Sequence, residues 1–391
     1  MYPHQSDRLT EALDRAKVDA LVAASPANVA YVTGFRDPYG IVIPGAELGV
    51  FTRNGTALIA PAAAAPAIVA GAVDVDHVVA YGDLRLSTID ASATDARRLR
   101  DLALGGTRDM PDALASALDR LGVGQSSLGL DESWLSHGVF RLLCDRFHSA
   151  SVVAGASALA GARRVKGPYE IECLWRGLQI AEEALDAVIQ TLERGTTESE
   201  AATQWSVEVL KRGGWPFPPL VGIGVRSAIA APSPTDAALR PGTVIRFDVG
   251  CAYKGYASSL ARTAVLGDPP GRHEEAYQVV QACLEAAVTA VAGGAPAARV
   301  LEAFGDAARG NGELGAELAW QQVGYGIGLE RREAPTLTNG EGALEAGEVL
   351  CIETSFDEPG SFGLSARDTV LVTTSGARSL NRSHHGFVVL E

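Results

Sequence analysis

The chain has 391 residues, 47% of them hydrophobic, and a formal net charge of −14 at pH 7. That length exceeds one ordinary core and implies two domains, and the apolar content excludes a disordered chain. The acidic balance argues against nucleic acid and anionic membrane surfaces as partners, since both call for Lys/Arg-rich faces.

Residues 6–17 mix apolar and charged positions in a helical pattern, and Ala20-Leu21-Val22-Ala23 reads as a short buried strand. Leu48-Gly49-Val50-Phe51 and Ala57-Leu58-Ile59-Ala60 follow as apolar, strand-like runs. Strands alternating with helical stretches to about residue 155 predict an α/β N-terminal domain. The small-residue stretch 152–161 reads as a connector. Residues 169–193 predict a long amphipathic helix, with Ile171, Leu174, Leu178, Ala181 and Leu185 at three- and four-residue spacing. A second helix starts near Thr197, which can cap it, with Glu200 closing a capping box. Beyond it the chain reads as strands joined by tight turns. The alternation over 244–249 sends Asp248 to one face, where Ser259 on a neighbouring strand can meet it. Gly324, Gly326 and Gly328 let the backbone run close to whatever fills the site, although a phosphate loop would need a following helix and usually a Lys. Five widely spaced cysteines (Cys144, Cys173, Cys251, Cys283, Cys351) suit a reduced cytoplasm. With no basic-then-apolar leader and no bilayer-length apolar run, a soluble cytoplasmic protein is expected.

Two segments carry the chemistry. One runs Phe247-Asp248-Val249-Gly250, then Gly255-Tyr256-Ala257-Ser258-Ser259-Leu260-Ala261-Arg262-Thr263. The other runs Gly324-Tyr325-Gly326-Ile327-Gly328-Leu329-Glu330, then Glu333-Ala334-Pro335, with Ile352-Glu353 and 363–370 further on. Together they resemble the pita-bread family of methionine aminopeptidases, Xaa-Pro dipeptidases and creatinase. The stretch Asn28-Val29-Ala30-Tyr31-Val32-Thr33-Gly34-Phe35 looks like the Asn-x-x-Tyr-x-Thr-Gly-Phe stretch of prolidase- and creatinase-like N-terminal domains. Eleven residues separate Asp248 from Ser259 and fourteen separate Glu353 from Arg367, which are the family's spacings between its paired aspartates and paired glutamates. The resemblance implies an α+β chain, with a creatinase-like N-terminal α/β domain over 1–157 and a pita-bread domain over 158–391. It also implies a homodimer in which each N-terminal domain leans over the partner's cleft; Arg36 reads by default as a surface arginine, and the alternative is that it reaches substrate across that interface.

The family binds two metal ions through Asp, Asp, His, Glu and Glu. At those positions this chain has Asp248, Ser259, Tyr325, Glu353 and Arg367, and Ala231 and Arg332 stand where the family has two further histidines. Asp248 and Glu353 are too few donors for a dedicated cation pair, and an arginine at a bridging position puts fixed positive charge where the cations would sit. No metal and no cofactor is therefore expected. Two outcomes follow. In the first, Arg367 pairs with Asp248 or Glu353 in an inert ion-pair network. In the second, Arg332 and Arg367, with Ser259, grip an anionic small-molecule substrate, while Tyr325 donates a proton at a pKa lowered by the guanidiniums and Glu353 or Asp248 acts as base. The second outcome implies a metal-independent hydrolase or lyase/cyclase acting on a small carboxylate-bearing substrate. The alternative is an inactive pseudo-peptidase that binds a peptide or protein, as some eukaryotic relatives do with histone-type partners. Other candidates are weaker: 215–219 reads as a rigid rim loop, Cys251 as a packed small residue, and His384-His385 as a surface pair.

Overall fold

Ala20, Leu21, Val22 and Ala23 are all fully buried, and they form the strand around which the N-terminal half is ordered. The computed structural model describes residues 2–36, 43–71, 73–85, 94–124, 126–147, 152–316, 318, 323–338, 340, 342–382 and 387–390. The chain divides into two compact units, Met1–Arg163 and Arg164–Glu391. In the first, six strands form one sheet: β1 (Ala20–Ala23), β2 (Leu48–Thr52), β3 (Gly55–Pro61), β4 (His77–Tyr81), β5 (Leu128–Leu130) and β6 (Val152–Ala154). Their order is β4-β3-β2-β1-β5-β6, with β1, β2 and β3 antiparallel and the outer pairs parallel. Parallel neighbours cannot be joined by a hairpin, so helices such as Met110–Arg120 carry the crossovers and bury Leu114 and Leu118 against the sheet.

The stretch 152–161 is not a connector. It forms β6 and the start of the helix Ala156–Arg164, because Leu159 and Ala162 supply a buried helical face. The Asn28–Phe35 motif is a capped helix, Pro26–Thr33, whose entry is pinned by the buried Asp131. Asp131 accepts from Ala24 N at 3.1 Å, Ser25 N at 2.9 Å and Asn28 Nδ2 at 2.6 Å. Burial pushes its pKa up, but those donors outweigh it and hold the carboxyl below its usual range.

The second unit opens with the helix Pro168–Ile189 and the helix Glu198–Lys211. The expected capping box closes at Thr197: its backbone N–H donates to Glu200 Oε2 at 2.9 Å, and Glu200 N donates to Thr197 Oγ1 at 3.2 Å. Twelve strands follow: β7 (Trp215–Pro216), β8 (Leu220–Ile223), β9 (Val244–Val249), β10 (Cys251–Tyr253), β11 (Tyr256–Ala257), β12 (Leu260–Leu266), β13 (Gly324–Gly326), β14 (Glu333–Thr336), β15 (Val349–Glu358), β16 (Phe362–Thr373), β17 (Gly376–Ser379) and β18 (Val388–Leu390). They make three sheets, ordered β11-β10-β7, β18-β12-β9-β8 and β14-β13-β15-β16-β17.

Tight turns alone do not join these strands, contrary to the sequence expectation. The helices Gly271–Ala290 and Ala297–Gly310 intervene; the first packs on β15 and β16 and buries Val280, Cys283, Leu284 and Ala287, and Phe304 of the second belongs to the same core. Ile245, Phe247 and Val249 pack against the first two helices. Strand alternation then aims Arg246 and Asp248 at the opposite, helix-free face. The same period places Ile352 and Ala366 in the helix-side core and Glu353 and Arg367 on the other side, directly opposed across the β15–β16 ladder. The two larger sheets are joined by side-chain bonds, Ser365 N to Thr263 Oγ1 at 3.0 Å and Arg262 Nη1 to the Arg367 carbonyl at 2.9 Å. No helix among the described residues is long and apolar enough to cross a membrane. All five cysteines are free thiols.

Candidate active site

Arg367 is the hub of the helix-free face. Its Nη1 donates to Asp248 Oδ1 at 2.7 Å and Ser259 Oγ at 2.9 Å, and its Nη2 to Asp248 Oδ2 at 3.0 Å and Glu353 Oε2 at 2.6 Å. Its Nε donates to Glu353 Oε2 at 2.9 Å. A guanidinium has five N–H donors, and all five are engaged. The Arg367 side chain is 7% exposed, and Asp248 and Glu353 are 16% exposed. Arg367 therefore bridges the two carboxylates itself, with every donor engaged inside the cluster. Its pKa is raised, because the charges of Asp248, Tyr325 and Glu353 outweigh the opposing effect of burial. For Asp248 burial raises the pKa, but the Arg367 charge and hydrogen bonds prevail and hold the carboxyl below its usual range.

Tyr325 lies on β13, beside β15, and its hydroxyl donates to Glu353 Oε2 at 3.3 Å. The expected lowering of its pKa does not occur. Burial pushes it well above the ordinary phenol value, with Cys351 and Glu353 adding to the rise and Arg367 opposing it. Desolvation wins because Tyr325 itself is 2% exposed, with Glu353 already drawing on the nearest guanidinium. Arg332 completes the cluster. Its Nη2 donates to Glu353 Oε1 at 3.1 Å, and its guanidinium lies 4.2 Å from the centre of the Tyr325 ring. Its side chain is 54% exposed, in contrast to Arg367. The four predicted site residues around Arg367, namely Asp248, Ser259, Tyr325 and Glu353, thus meet in one place, with Arg332 at the mouth. Arg36 is exposed on the N-terminal unit, just after the helix Pro26–Thr33.

Two adjoining cavities flank this cluster. One, about 320 Å³, is bounded by Arg246, Asp248, Glu353, Ser355, Asp357 and Arg332, among others. The second, about 470 Å³, is walled by Leu220, Ala230, Ala231, Tyr325, Arg331 and Arg332 together with Asp248 and Arg367. Among the described residues lining the two there are four arginines and three carboxylates, a cationic surplus inside a strongly acidic protein. Arg331 was not singled out from the sequence, although the adjacent Arg331-Arg332 pair was the available signal. It lies over the Phe217 ring at 5.1 Å, and no carboxylate pairs with it among the described residues. Arg246, also missed, donates to Asp357 and to the Ser227 carbonyl at the far end.

The remaining candidates fall away from chemistry. Residues 215–219 begin with β7, which pairs with β10, and their part in the site is Phe217, whose ring lies under Arg331. Cys251 is buried, and burial pushes its thiol up to about 11. Gly324, Gly326 and Gly328 abut the Cys351 carbonyl, the Ala334 carbonyl and the Glu333 carboxylate, so they serve packing within the protein, and no helix follows them to make a phosphate loop. His384 and His385 lie outside the described residues.

A pair of divalent cations needs several hard oxygen donors around each ion. Here the two carboxylates are already bridged by a guanidinium, and no group of three or more His, Cys, Asp or Glu among the described residues is arranged to hold a metal. The donor set does not fit the dinuclear centre that the resemblance implies.

Comparison with known proteins places the chain. Residues 172–374 match metallopeptidase family M24, and residues 5–165 match the creatinase/prolidase N-terminal domain. The chain belongs to metallopeptidase family M24, with a creatinase-type N-terminal domain preceding the pita-bread domain. It is 23% identical to the uncharacterized peptidase YqhT of Bacillus subtilis over 98% of this chain and 99% of that one. The fold is shared with an Xaa-Pro dipeptidase from Bacillus anthracis at a TM-score of 0.79, 21% identity and 99% coverage of both chains. It is shared as well with the N-terminal domain of the FACT complex subunit SPT16 from chickpea, at a TM-score of 0.71, 16% identity and 99% coverage of both chains.

Proposed function

We propose that this member of a peptidase family is a metal-independent enzyme. On this reading it carries out acid–base chemistry at a C–N or C–O bond of a small carboxylate-bearing substrate, by hydrolysis, elimination or cyclisation. The observation that carries the reading is the open, arginine-lined cleft next to the Arg367 network: a retired site would be filled, whereas about 320 and 470 Å³ remain available. In this reading Arg367 stands in for the family's cations as a fixed positive charge that organises Asp248, Ser259 and Glu353. Tyr325, kept protonated by its raised pKa, is the proton donor, and Glu353, its hydrogen-bond partner, is the acceptor. Asp248, held ionised by Arg367, serves electrostatics rather than proton transfer.

The test is turnover of a panel of N-acyl and O-acyl small carboxylates by chelator-dialysed protein. Turnover should persist without metal and fall by about 10²–10⁴ in Tyr325→Phe and in Glu353→Gln. One or two equivalents of Zn, Mn, Fe or Co retained through dialysis, and lost together with activity, would overturn the metal-independent reading. Full activity in both variants would overturn the roles.

A second reading, a peptide- or protein-binding module without catalysis, draws support from the fully satisfied donors of Arg367 and from the likeness to a FACT complex subunit. Retained binding of peptides, with no turnover anywhere in the panel, is the result expected of it.

We also propose a cytoplasmic homodimer. Sedimentation at micromolar concentration should give twice the 40.7 kDa chain mass, and a clean monomer would remove any role for Arg36 across an interface.

A further inference from the structure

We infer that Arg331 and Arg332, not Arg367, form the seat of a monocarboxylate, and that seating it draws Arg332 away from Glu353 and leaves Glu353 Oε1 open to the reacting group. The inference rests on the enzymatic reading above for its ligand class and on the following geometry for its residues.

The two guanidiniums differ from Arg367 in every respect that matters to a ligand. Arg367 is buried with all five donors engaged, whereas the Arg332 side chain is 54% exposed and is hydrogen-bonded to Glu353 at a single point, 3.1 Å from Oε1. An ion pair whose cation is half-exposed is weakly held and open to exchange. Arg331, its neighbour, has an aromatic face beneath it at 5.1 Å and no carboxylate partner among the described residues. Both line the 470 Å³ cavity, whose other walls include Leu220, Ala230 and Ala231. Cations and apolar side chains lining one cavity fit an anion that carries an apolar body. The charge balance selects its valence. The cleft has one arginine more than it has carboxylates, enough for a monoanion, while Asp248 and Glu353 repel a dianion such as phosphate.

The coupling follows from competition. Glu353 Oε2 accepts from Arg367 Nε and Nη2 and from Tyr325, so those bonds hold the carboxylate in place when Arg332 leaves. Oε1 has Arg332 as its one donor among the described residues. An incoming carboxylate that takes the Arg332 fork therefore exposes one oxygen of a carboxylate that does not itself move. Arg332 is a positioning residue on this account. It need not touch the reacting atoms, and it makes the proton acceptor available only when the substrate's carboxylate is in place.

The experiment titrates protein carrying 15N-labelled arginine with sodium propionate at low ionic strength, reading the arginine Nε–H signals, and repeats the titration with inorganic phosphate. Propionate should shift the signals of Arg331 and Arg332 and leave that of Arg367 in place, and phosphate should bind no more tightly. Arg331→Gln and Arg332→Gln, both at exposed positions, should each weaken propionate by at least about tenfold. Glu353→Gln should tighten it several-fold, because the competing carboxylate is gone, an effect no merely structural role of Glu353 would produce. A melting curve accompanies Glu353→Gln, and if that variant does not fold, the two arginine variants decide alone. Propionate binding unchanged in both arginine variants, or Arg367 as the residue whose signal moves, overturns the inference. Propionate binding as described with no turnover of any carboxylate-bearing substrate leaves the seat standing and removes the enzymatic reading. Turnover that persists unchanged in Arg331→Gln and Arg332→Gln does the reverse.

Discussion

Replacing Arg367 with Met should cost about 3–5 kcal/mol of stability, the penalty for stripping the countercharge from a buried ion pair. Arg367 spans two carboxylates that are each 16% exposed, and its removal strips Asp248 of its bidentate partner and leaves Glu353 to the half-exposed Arg332 and to Tyr325. Arg367→Lys should fall between wild type and Met, since an ammonium keeps the charge but offers three donors in place of five. Denaturant unfolding followed by circular dichroism measures both. The pH dependence separates this explanation from simple loss of packing. In the wild type the Asp248 carboxyl is held below its usual range, so between that depressed value and about 3.9 the unfolded chain binds more protons than the folded one. Asp248 therefore contributes stability that is present above about pH 4 and lost as the pH falls through its folded value. In Arg367→Met the sign reverses at this site, because protonating the stranded Asp248 relieves the penalty. The stability difference between the two proteins should narrow on acidification. A loss under about 1 kcal/mol, or a pH-independent difference, would show that the network does not hold the site together.

What could be read from the sequence, and what could not, divides along the range of the interactions. The Thr197–Glu200 box lies within one helical turn, and its donors and acceptors are set by local geometry alone. The Glu353–Arg367 juxtaposition was legible as a spacing because both residues sit on one hairpin, whose register fixes them opposite each other. Asp248 is 119 residues from Arg367, so its pairing could be named as an option but not chosen. The saturation of all five Arg367 donors depends on segments far apart in the chain, those carrying Asp248, Ser259 and Glu353, arriving together. Tyr325 failed for a related reason: guanidinium neighbours were visible in the residue types, whereas burial, which dominates its pKa, is a property of the packed sheet. The helix Gly271–Ala290 was missed although Ala276, Val280, Cys283, Leu284 and Ala287 recur at helical spacing. The strand-rich pattern around it drew the reading away.

These divisions bear on function as well. The two arginines that matter most to a ligand in this account are not the one that replaced a metal ligand. Sequence position relative to a family motif singles out Arg367, but accessibility singles out Arg331 and Arg332. The family motif and side-chain exposure thus draw attention to different cations of the same cluster.

The loop that carries Arg331 and Arg332 should depend on a buried ion pair that lies outside the cleft, Lys166 with Glu333. Lys166 Nζ donates to Glu333 Oε2 at 3.1 Å and to the Arg164 carbonyl at 3.1 Å, and the two side chains are 1% and 4% exposed. The other oxygen of Glu333 accepts from Glu330 N at 3.1 Å, and Gly328 packs so closely against this carboxylate that a β-carbon there would overlap it. Gly328 O in turn accepts from Ala257 N at 2.8 Å, beside the strand that leads to Ser259. Lys166→Met should therefore cost about 3–5 kcal/mol, because it removes the Lys166 charge from a carboxylate that is 4% exposed. The double variant Lys166→Met/Glu333→Leu should recover most of that loss, since an apolar pair of similar volume avoids both desolvation penalties. Recovery of the fold should not bring recovery of the site. With Glu333 gone the Glu330 N–H loses its acceptor, the turn presenting Arg331 and Arg332 is no longer fixed, and propionate binding should stay weakened by about tenfold or more. Unfolding curves and the arginine-signal titration, run on the same three proteins, separate the two effects. A double variant that regains stability and full propionate affinity together would show that the ion pair serves the fold alone and that the turn carrying Arg331 and Arg332 is ordered by something else.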